Sequence, residues 1–237
     1  MKNLSLISFV GIDAMTEFDN LLQFKDSNII YEFGILYSNS KNNNYIRYPG
    51  FKVCENYLKW AMSNKINSSI HLCGESITNY LNNDDKIIEL CSYANRIQLN
   101  INIYKYNDYE KLSSNILDIA NKYNHNIILQ HNDAKEEFNK IFFNKIKNTS
   151  LSLLHDSSGG YGKLINKVLP PEEKYFTGYA GGINSTNILY IISLINNCNI
   201  NNLKYYIDME SCVMVNNIFS IDECIKIKSL IDNGHLI

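Results

Sequence analysis

Short runs of apolar, β-branched and aromatic residues alternate along this 237-residue chain with segments whose apolar residues recur every three to four positions. The first pattern is typical of buried strands, and the second of helices that cover a sheet. No long stretch alternates polar and apolar residues as a strand of a half-solvated antiparallel sheet does. Strict alternation of strands and helices implies parallel strands that are joined by right-handed crossovers.

The spacing predicts eight strand-then-helix units. The predicted strands are Leu4–Val10, Ile29–Leu36, Ser68–Cys73, Arg96–Ile101, Asn126–Gln130, Leu151–Asp156, a seventh that ends at Gly181, and Lys204–Asp208. The predicted helices are Thr16–Phe24, Phe51–Met62, a broken helix over Ser76–Leu81 and Lys86–Cys91, Tyr109–Tyr123, Ala134–Ile146, Ser185–Asn196 and Ile221–Ile231. Thr16 and Ser220 are the expected caps of the first and last of these helices.

Eight such units in 237 residues favour a single α/β domain over residues 1–237, folded as a closed (β/α)8 TIM barrel. An open, doubly wound sheet is the alternative. Its dinucleotide-binding version is disfavoured because no G-x-G-x-x-G follows the first strand.

Composition excludes several partners. Net charge is -2 and the only arginines are Arg47 and Arg96, so we expect no nucleic acid and no acidic membrane surface. No segment approaches the roughly 20 apolar residues that span a bilayer, and the N-terminal apolar stretch is too short for a signal peptide. The six cysteines form no C-x-x-C pair, which disfavours a structural zinc site. We therefore expect a cytoplasmic protein with reduced thiols.

Two strands end in turns rich in glycine. Leu151–Asp156 runs into Ser157-Ser-Gly-Gly-Tyr-Gly-Lys163, and the seventh strand runs into Gly181-Gly182. Glycine brings the backbone close to a ligand because it has no side chain. Asn184, Ser185 and Thr186 stand where a helix cap is expected. In a barrel both turns would lie at the carboxyl-terminal rim, where the chemistry of such folds takes place.

Polar side chains lie at or near the ends of most of the predicted strands. They are Asp13, Glu32, His71 with Cys73, Gln98, Gln130 with His131, Asp156, and Asp208 with Glu210. Each of these residues, taken alone, also suits a turn or a solvated strand end. Together they predict one polar mouth.

Five stretches resemble phosphoribosylanthranilate isomerase, a (β/α)8 barrel of tryptophan biosynthesis. They are Phe9-Val-Gly-Ile, Ile128-Leu-Gln-His, Leu154-His-Asp with the glycine-rich turn, Ala180-Gly-Gly-Ile-Asn-Ser-Thr-Asn187 and Ile207-Asp-Met-Glu-Ser-Cys-Val213. The resemblance covers the first strand and the last four units, and it is most specific at Ala180-Gly-Gly. It implies a rearrangement of an N-phosphoribosyl aminal to an aminodeoxyribulose phosphate.

The resemblance also implies roles for individual residues. The family's general acid falls on Asp156, whereas its general base, a cysteine of the first strand, is replaced by Val10. Asp13 or His71 is the expected substitute base. Binding of substrate or phosphate is expected at Gly181, Gly182, Ser211, Gln130, Ser157, Gly160 and Asp208.

Charge leaves a second interpretation open. Glu210 would lie beside the expected phosphate, which is unfavourable unless a cation lies between them. A divalent metal held by Asp13, His71, Cys73, Asp208 and Glu210 would support metal-assisted sugar isomerisation or hydrolysis instead. Neither a metal nor another cofactor is required by the first interpretation. Lys163 is a weak candidate for a Schiff base because no predicted strand carries it.

The sequence therefore predicts an isomerase-type enzyme that acts by acid–base chemistry on a small, ribose-phosphate-type ligand. The alternative is a barrel that kept the pocket, lost the chemistry and binds or sequesters a small molecule. Either protein could act as a monomer or a homodimer.

Overall fold

A computed structural model describes residues 3–41, 46–145, 151–156 and 168–233. Eight parallel strands close into a barrel in chain order, with β1 paired to both β2 and β8. The strands are β1 Leu4–Ile12, β2 Ile30–Tyr37, β3 Asn67–Cys73, β4 Arg96–Asn100, β5 Ile127–His131, β6 Leu151–Asp156, β7 Phe176–Ala180 and β8 Tyr205–Met209. The predicted (β/α)8 barrel is confirmed, and the open-sheet alternative is wrong.

Helices follow most of the strands and cover the outside of the barrel. They are α1 Phe51–Ser63, α2 Glu75–Leu81, α3 Asp85–Ser92, α4 Tyr109–Tyr123, α5 Glu136–Lys145, α6 Ile188–Cys198 and α7 Ile221–Asn233. Short 3-10 helices span Phe18–Phe24, Ile103–Lys105, Asp133–Lys135 and Ser211–Val213. A two-stranded hairpin, β9 Met214–Val215 and β10 Ile218–Phe219, precedes α7. No helix within the described ranges combines the length and the apolar character needed to cross a bilayer.

The first predicted helix is a 3-10 segment that starts later than expected. Its N-cap position is Glu17, not Thr16. Thr16 bonds to Asp13 instead: its hydroxyl donates to the Asp13 carboxylate over 3.0 Å and accepts from the Asp13 N–H over 3.1 Å. The competing Asx-type turn explains the failed cap. At the last helix the predicted cap holds, because the hydroxyl of Ser220 accepts the N–H of Glu223.

Two apolar clusters hold the barrel together. The larger one lies between the strands and the helices and includes Phe9, Phe33 and Tyr57. The smaller one comprises Leu6, Ile128, Leu154, Ala180 and Tyr206, with Phe176 packed against it. Alternate strand residues point to opposite sides of the sheet, so this division places the smaller cluster inside the barrel.

A buried ion pair shares the barrel interior with the smaller cluster. Two of the three guanidinium nitrogens of Arg96, Nε and Nη2, each donate to an oxygen of the Glu32 carboxylate over 2.7 Å. Nη1 of Arg96 donates to the Ser152 hydroxyl over 3.3 Å, and the guanidinium stacks 4.3 Å from the ring centroid of Tyr206. Glu32 was predicted at the rim, but it lies near the amino end of β2, beside Ser8 of β1. That prediction was wrong because the sequence alone does not distinguish a carboxylate buried within a strand from one at the end of a strand.

Candidate active site

A cavity of about 870 Å³ opens at the carboxyl-terminal ends of the strands. Its described walls carry both charges: Lys41, Arg47 and Lys135 are basic, and Asp156, Asp208 and Glu210 are acidic. Several residues predicted from the sequence meet there, namely Asp156, Gln130, Gly181, Gly182, Asp208 and Ser211. The strand ends thus form one mouth.

Asp156, the last residue of β6, belongs to a hydrogen-bonded chain of three side chains. Nε2 of Gln130 donates to Oδ2 of Asp156 over 3.1 Å. Oε1 of Gln130 in turn accepts from Nζ of Lys135 over 2.8 Å. Because Gln130 is tied at both ends, its amide has one orientation, and that orientation fixes the Asp156 carboxyl at the cavity wall.

Lys135 brings a titratable cation to this chain. Burial lowers the pKa of Lys135 to about 8, although the charge of Asp156 opposes the shift. The amine is therefore mostly protonated at pH 7 and loses its charge within the physiological range. Sequence reasoning missed this residue. Its only signal is its place in the turn between β5 and α5, which has little weight in a chain rich in lysine.

Asp208 of β8 is a second carboxyl group at the cavity. It is 6% exposed, and its Oδ2 has no hydrogen-bond partner among the described residues. Burial raises the pKa of Asp208 to about 7 and the charge of Glu32 adds to the rise, whereas Arg96 and the adjacent Ser8 hydroxyl oppose it. The two carboxyl groups thus differ. Oδ2 of Asp208 has no hydrogen-bond partner among the described residues, whereas Oδ2 of Asp156 accepts from Gln130.

The turn after β7 exposes backbone to the cavity. Gly181 and Gly182 have φ values of 110° and 60°, a region that favours glycine. The amide of Asn187 holds the turn, because it donates to the Gly182 carbonyl over 2.9 Å and accepts the N–H of Asn184 over 2.8 Å. α6 begins directly afterwards, so its positive dipole end lies close to this wall.

Arg47 places a positive charge beside Glu210, the carboxylate that would otherwise repel a phosphate at this wall. Its guanidinium forms an ion pair with Glu210, and both residues line the cavity beside Ser211. A cation therefore accompanies the carboxylate next to the expected phosphate site. Arg47 lies in the asparagine-rich loop between β2 and α1, where sequence periodicity gives no position for a side chain.

Cys73 and its neighbours form the wall at the end of β3. Nδ2 of Asn100 donates to the sulfur of Cys73 over 3.1 Å, and Oδ1 of Asn100 accepts from Nε2 of Gln98 over 2.8 Å. Burial raises the pKa of the Cys73 thiol, although Asn100 and the nearby cations oppose it. Oε1 of Gln98 has no hydrogen-bond partner in the described part of the chain. This oxygen could therefore accept a hydrogen bond from a ligand at this wall.

Asp13 is not among the residues that line the cavity. Its Oδ1 accepts from the N–H of Met15 over 2.9 Å and from the Thr16 hydroxyl. Its Oδ2 accepts from the N–H of Phe219 over 2.9 Å, which ties the end of β1 to the β10 strand. The carboxylate therefore holds backbone in place.

His71 lies deeper in the barrel than the cavity wall. It is 1% exposed and does not line the cavity. Burial lowers the pKa of His71 to about 3 despite the opposing charge of Glu32, so the imidazole is neutral at pH 7. Its Nε2 lies 3.4 Å from the Ser69 hydroxyl, within the strand.

Two further predictions remain open or lose their support. Ser157 and Gly160, with Lys163, lie outside the described residues. Within the described ranges, no three His, Cys, Asp or Glu side chains gather as a metal-ion site. The structure thus does not bring together the metal-ligand set that the sequence suggested.

No protein-family model and no curated protein sequence matches this chain. Solved structures are similar in fold. A monomeric form of the dimeric phosphoribosylanthranilate isomerase from Thermotoga maritima is 15% identical, with a TM-score of 0.60 over 99% of this chain and 100% of that chain.

Two other enzymes share the fold at similar distance. A mutant tryptophan synthase α-subunit from Pyrococcus furiosus is 11% identical with a TM-score of 0.56, over 99% of each chain. The phospho-2-dehydro-3-deoxyheptonate aldolase from Thermotoga maritima is 14% identical with a TM-score of 0.56, over 99% of this chain and 70% of that chain. At these identities the likeness establishes the barrel fold alone.

Proposed function

We propose that the cavity binds a small phosphorylated sugar derivative and isomerises it by proton transfer, with Asp156 as general acid. The observation that carries this proposal is the chain Lys135, Gln130, Asp156, which holds a carboxyl group at the rim cavity. The Gly181-Gly182 turn suits a different part of the ligand. Its backbone N–H groups and the N-terminus of the following helix would bind a phosphate. The sequence resemblance to phosphoribosylanthranilate isomerase supports the same assignment.

Asp156 would open the sugar ring of an aminoaldose. Protonation of the ring oxygen lets the C1–O bond break while the nitrogen lone pair forms a C1=N⁺ bond. The fixed orientation of Gln130 keeps the acid aimed at one atom, since its two hydrogen bonds prevent a rotation of the amide. Acid catalysis of this kind contributes roughly 10²–10⁴-fold to a rate.

Replacement of Asp156 tests the proposal. With phosphoribosylanthranilate as substrate, we expect wild-type turnover to fall by roughly 10²–10⁴-fold in Asp156→Asn, because an amide N–H is too weakly acidic to protonate the ring oxygen. Binding of ribose 5-phosphate, measured by calorimetry, should change little. Chromatography of the product measures the turnover.

A matched control is Asp118→Asn, the same chemical change at an exposed position of α4. It should keep wild-type turnover. A wild-type protein that binds neither phosphoribosylanthranilate nor ribose 5-phosphate would rule the proposal out.

Lys135 predicts a pH dependence of binding. Its ammonium is charged below a pKa of about 8, so affinity for ribose 5-phosphate should be highest below pH 8 and fall as the pH rises through that value. Lys135→Gln should bind more weakly at pH 7 and lose this alkaline decline. Lys111→Gln, an exposed change on α4, is the control. An unchanged decline in Lys135→Gln would assign the titration to another group.

Ligand binding without turnover is the second candidate function. Val10, where the resembled family has its basic cysteine, is fully buried and apolar, so that strand supplies no base. A wild-type protein that binds ribose 5-phosphate but never converts phosphoribosylanthranilate would support a binding or sequestering role.

A further inference from the structure

We propose that Asp208 is the general base that removes the carbon-bound proton in this isomerisation, in place of the base that Val10 cannot be. The inference rests on the proposed function. It gives the cavity two carboxyl groups with separate tasks, Asp156 as acid and Asp208 as base.

The position of Asp208 is the first argument. β8 pairs with β1, and Asp208 lies directly beside Ser8 in that pairing. Val10 is the next residue of β1 on the same side of the sheet as Ser8. A base on β8 therefore stands beside the strand from which the resembled family draws its own. Asp208 also lines the cavity, whereas neither Val10 nor the two bases expected from the sequence, Asp13 and His71, does so.

The bonding state of Asp208 is the second argument. Its Oδ2 is buried and without a hydrogen-bond partner among the described residues, although the side chain borders the cavity. A buried, unsatisfied carboxyl oxygen costs stability, so a ligand is the natural partner. The other acids at the cavity are engaged: Glu210 pairs with Arg47, and Asp156 accepts from Gln130.

The surroundings of Asp208 suit a base that works near neutral pH. The charged or titratable groups around it are Glu32 of β2, Arg96 of β4, Asp156 of β6, Tyr206 on its own strand, and Cys212 in the segment after β8. Burial, Glu32 and Asp156 raise the pKa of Asp208 to about 7, and Arg96 and the Ser8 hydroxyl limit the rise. A base is most effective when its pKa lies near the working pH.

The proton transfers balance over the two carboxyl groups. Asp156 gives its proton to the ring oxygen, and the C1–O bond breaks to leave the C1=N⁺ ion. The Asp208 carboxylate then takes the proton from C2, the C2–H electron pair forms C1=C2, and the C=N⁺ electrons return to nitrogen. Finally Asp208 returns its proton to C1, and the C2 hydroxyl proton passes to Asp156 as the ketone forms. The enzyme regains its starting state, and the substrate is isomerised without a co-reactant.

Isotope exchange tests the base without ring opening. In D₂O, Asp208 should exchange a C1 hydrogen of the aminodeoxyribulose phosphate product through the enaminol, without any ring closure. We expect Asp208→Asn to lose this exchange by roughly 10²-fold or more, whereas the same change at the exposed Asp118 of α4 should leave it at the wild-type rate. Asp208→Asn should still bind ribose 5-phosphate. Exchange at the wild-type rate in Asp208→Asn would overturn the inference.

A pH profile provides a second readout that a structural role would not move. A base must be ionised, so wild-type kcat/KM should rise as the pH increases through about 7, the pKa of Asp208. Asp208→Glu should retain measurable turnover with that limb displaced, and an unmoved limb contradicts the assignment. If the wild type neither converts phosphoribosylanthranilate nor exchanges its product, the proposed function itself fails. If the wild type is active and Asp208→Asn is equally active, only the inference about Asp208 fails.

Discussion

Glu32→Leu is expected to destabilise the folded chain by about 3–5 kcal/mol, the usual cost of leaving one member of a buried ion pair without its partner. The exposed fractions of the two side chains are 1% for Glu32 and 9% for Arg96, so water solvates the guanidinium that remains only poorly. Arg96→Met should cost a similar amount, because it leaves the Glu32 carboxylate unpaired. Urea unfolding at pH 7 measures both free energies.

The double variant Glu32→Leu with Arg96→Met is the decisive control. Replacing a whole buried pair by apolar residues of similar volume is often neutral, so the double variant should be more stable than either single one. The interaction energy in this cycle would have the size of the pairing itself. A double variant whose loss equals the sum of the single losses would mean that the pair contributes no coupling.

The same pair predicts a loss of stability in acid. Burial alone would raise the pKa of Glu32, but the Arg96 guanidinium outweighs it and holds that pKa below its ordinary value. A carboxyl group with a lowered folded pKa contributes stability above its unfolded pKa of about 4.3. That contribution is lost as the pH falls through the folded pKa. The acid decline should therefore be shallower in the double variant than in the wild type.

Much of the fold could be predicted because its signals are local. The spacing of Leu112, Ile116 and Ala120 predicts a helix over Tyr109–Tyr123, and α4 has those bounds. Eight such alternations leave few topologies open. The hairpin β9–β10 and the 3-10 helix at Ile103–Lys105 were missed, because segments of two or three residues have too few positions to show a period.

The candidate site was predictable only in part, because its members meet across the barrel. Asp156 and Gly181 could be located, since each follows an apolar run that ends abruptly. Lys135 and Arg47 could not, since their roles depend on which loops fold over the mouth. Glu32 was misplaced because its partner, Arg96, is 64 residues away in the chain. Sequence periodicity does not indicate which strands face each other across a barrel.

Gly178→Ala should also destabilise the barrel severely, by about 3 kcal/mol, at the upper end of the usual cost of overpacking. A Cβ atom on Gly178 would overlap the ring of Tyr206, the residue beside it on β8. That ring cannot withdraw, because it is fully buried, stacks on Arg96 and packs 4.9 Å from the ring of Phe176. Arg96 is in turn held by Glu32, so a displaced tyrosine would disturb the ion pair as well.

Two comparisons separate overpacking from an ordinary loss of glycine. Gly34→Ala places its Cβ 2.9 Å from the Ser69 hydroxyl and from a methyl group of Val10, whereas the Cβ at Gly178 would lie 2.1 Å from the Tyr206 ring. The smaller overlap means that Gly34→Ala should cost clearly less than Gly178→Ala. Adding Tyr206→Leu to Gly178→Ala should recover part of the lost stability, because the smaller side chain vacates the space that the new methyl group needs. Chemical denaturation of the three variants measures the order. Equal losses in Gly34→Ala and Gly178→Ala, with no recovery in the double variant, would show that the tyrosine ring does not fill the barrel over Gly178.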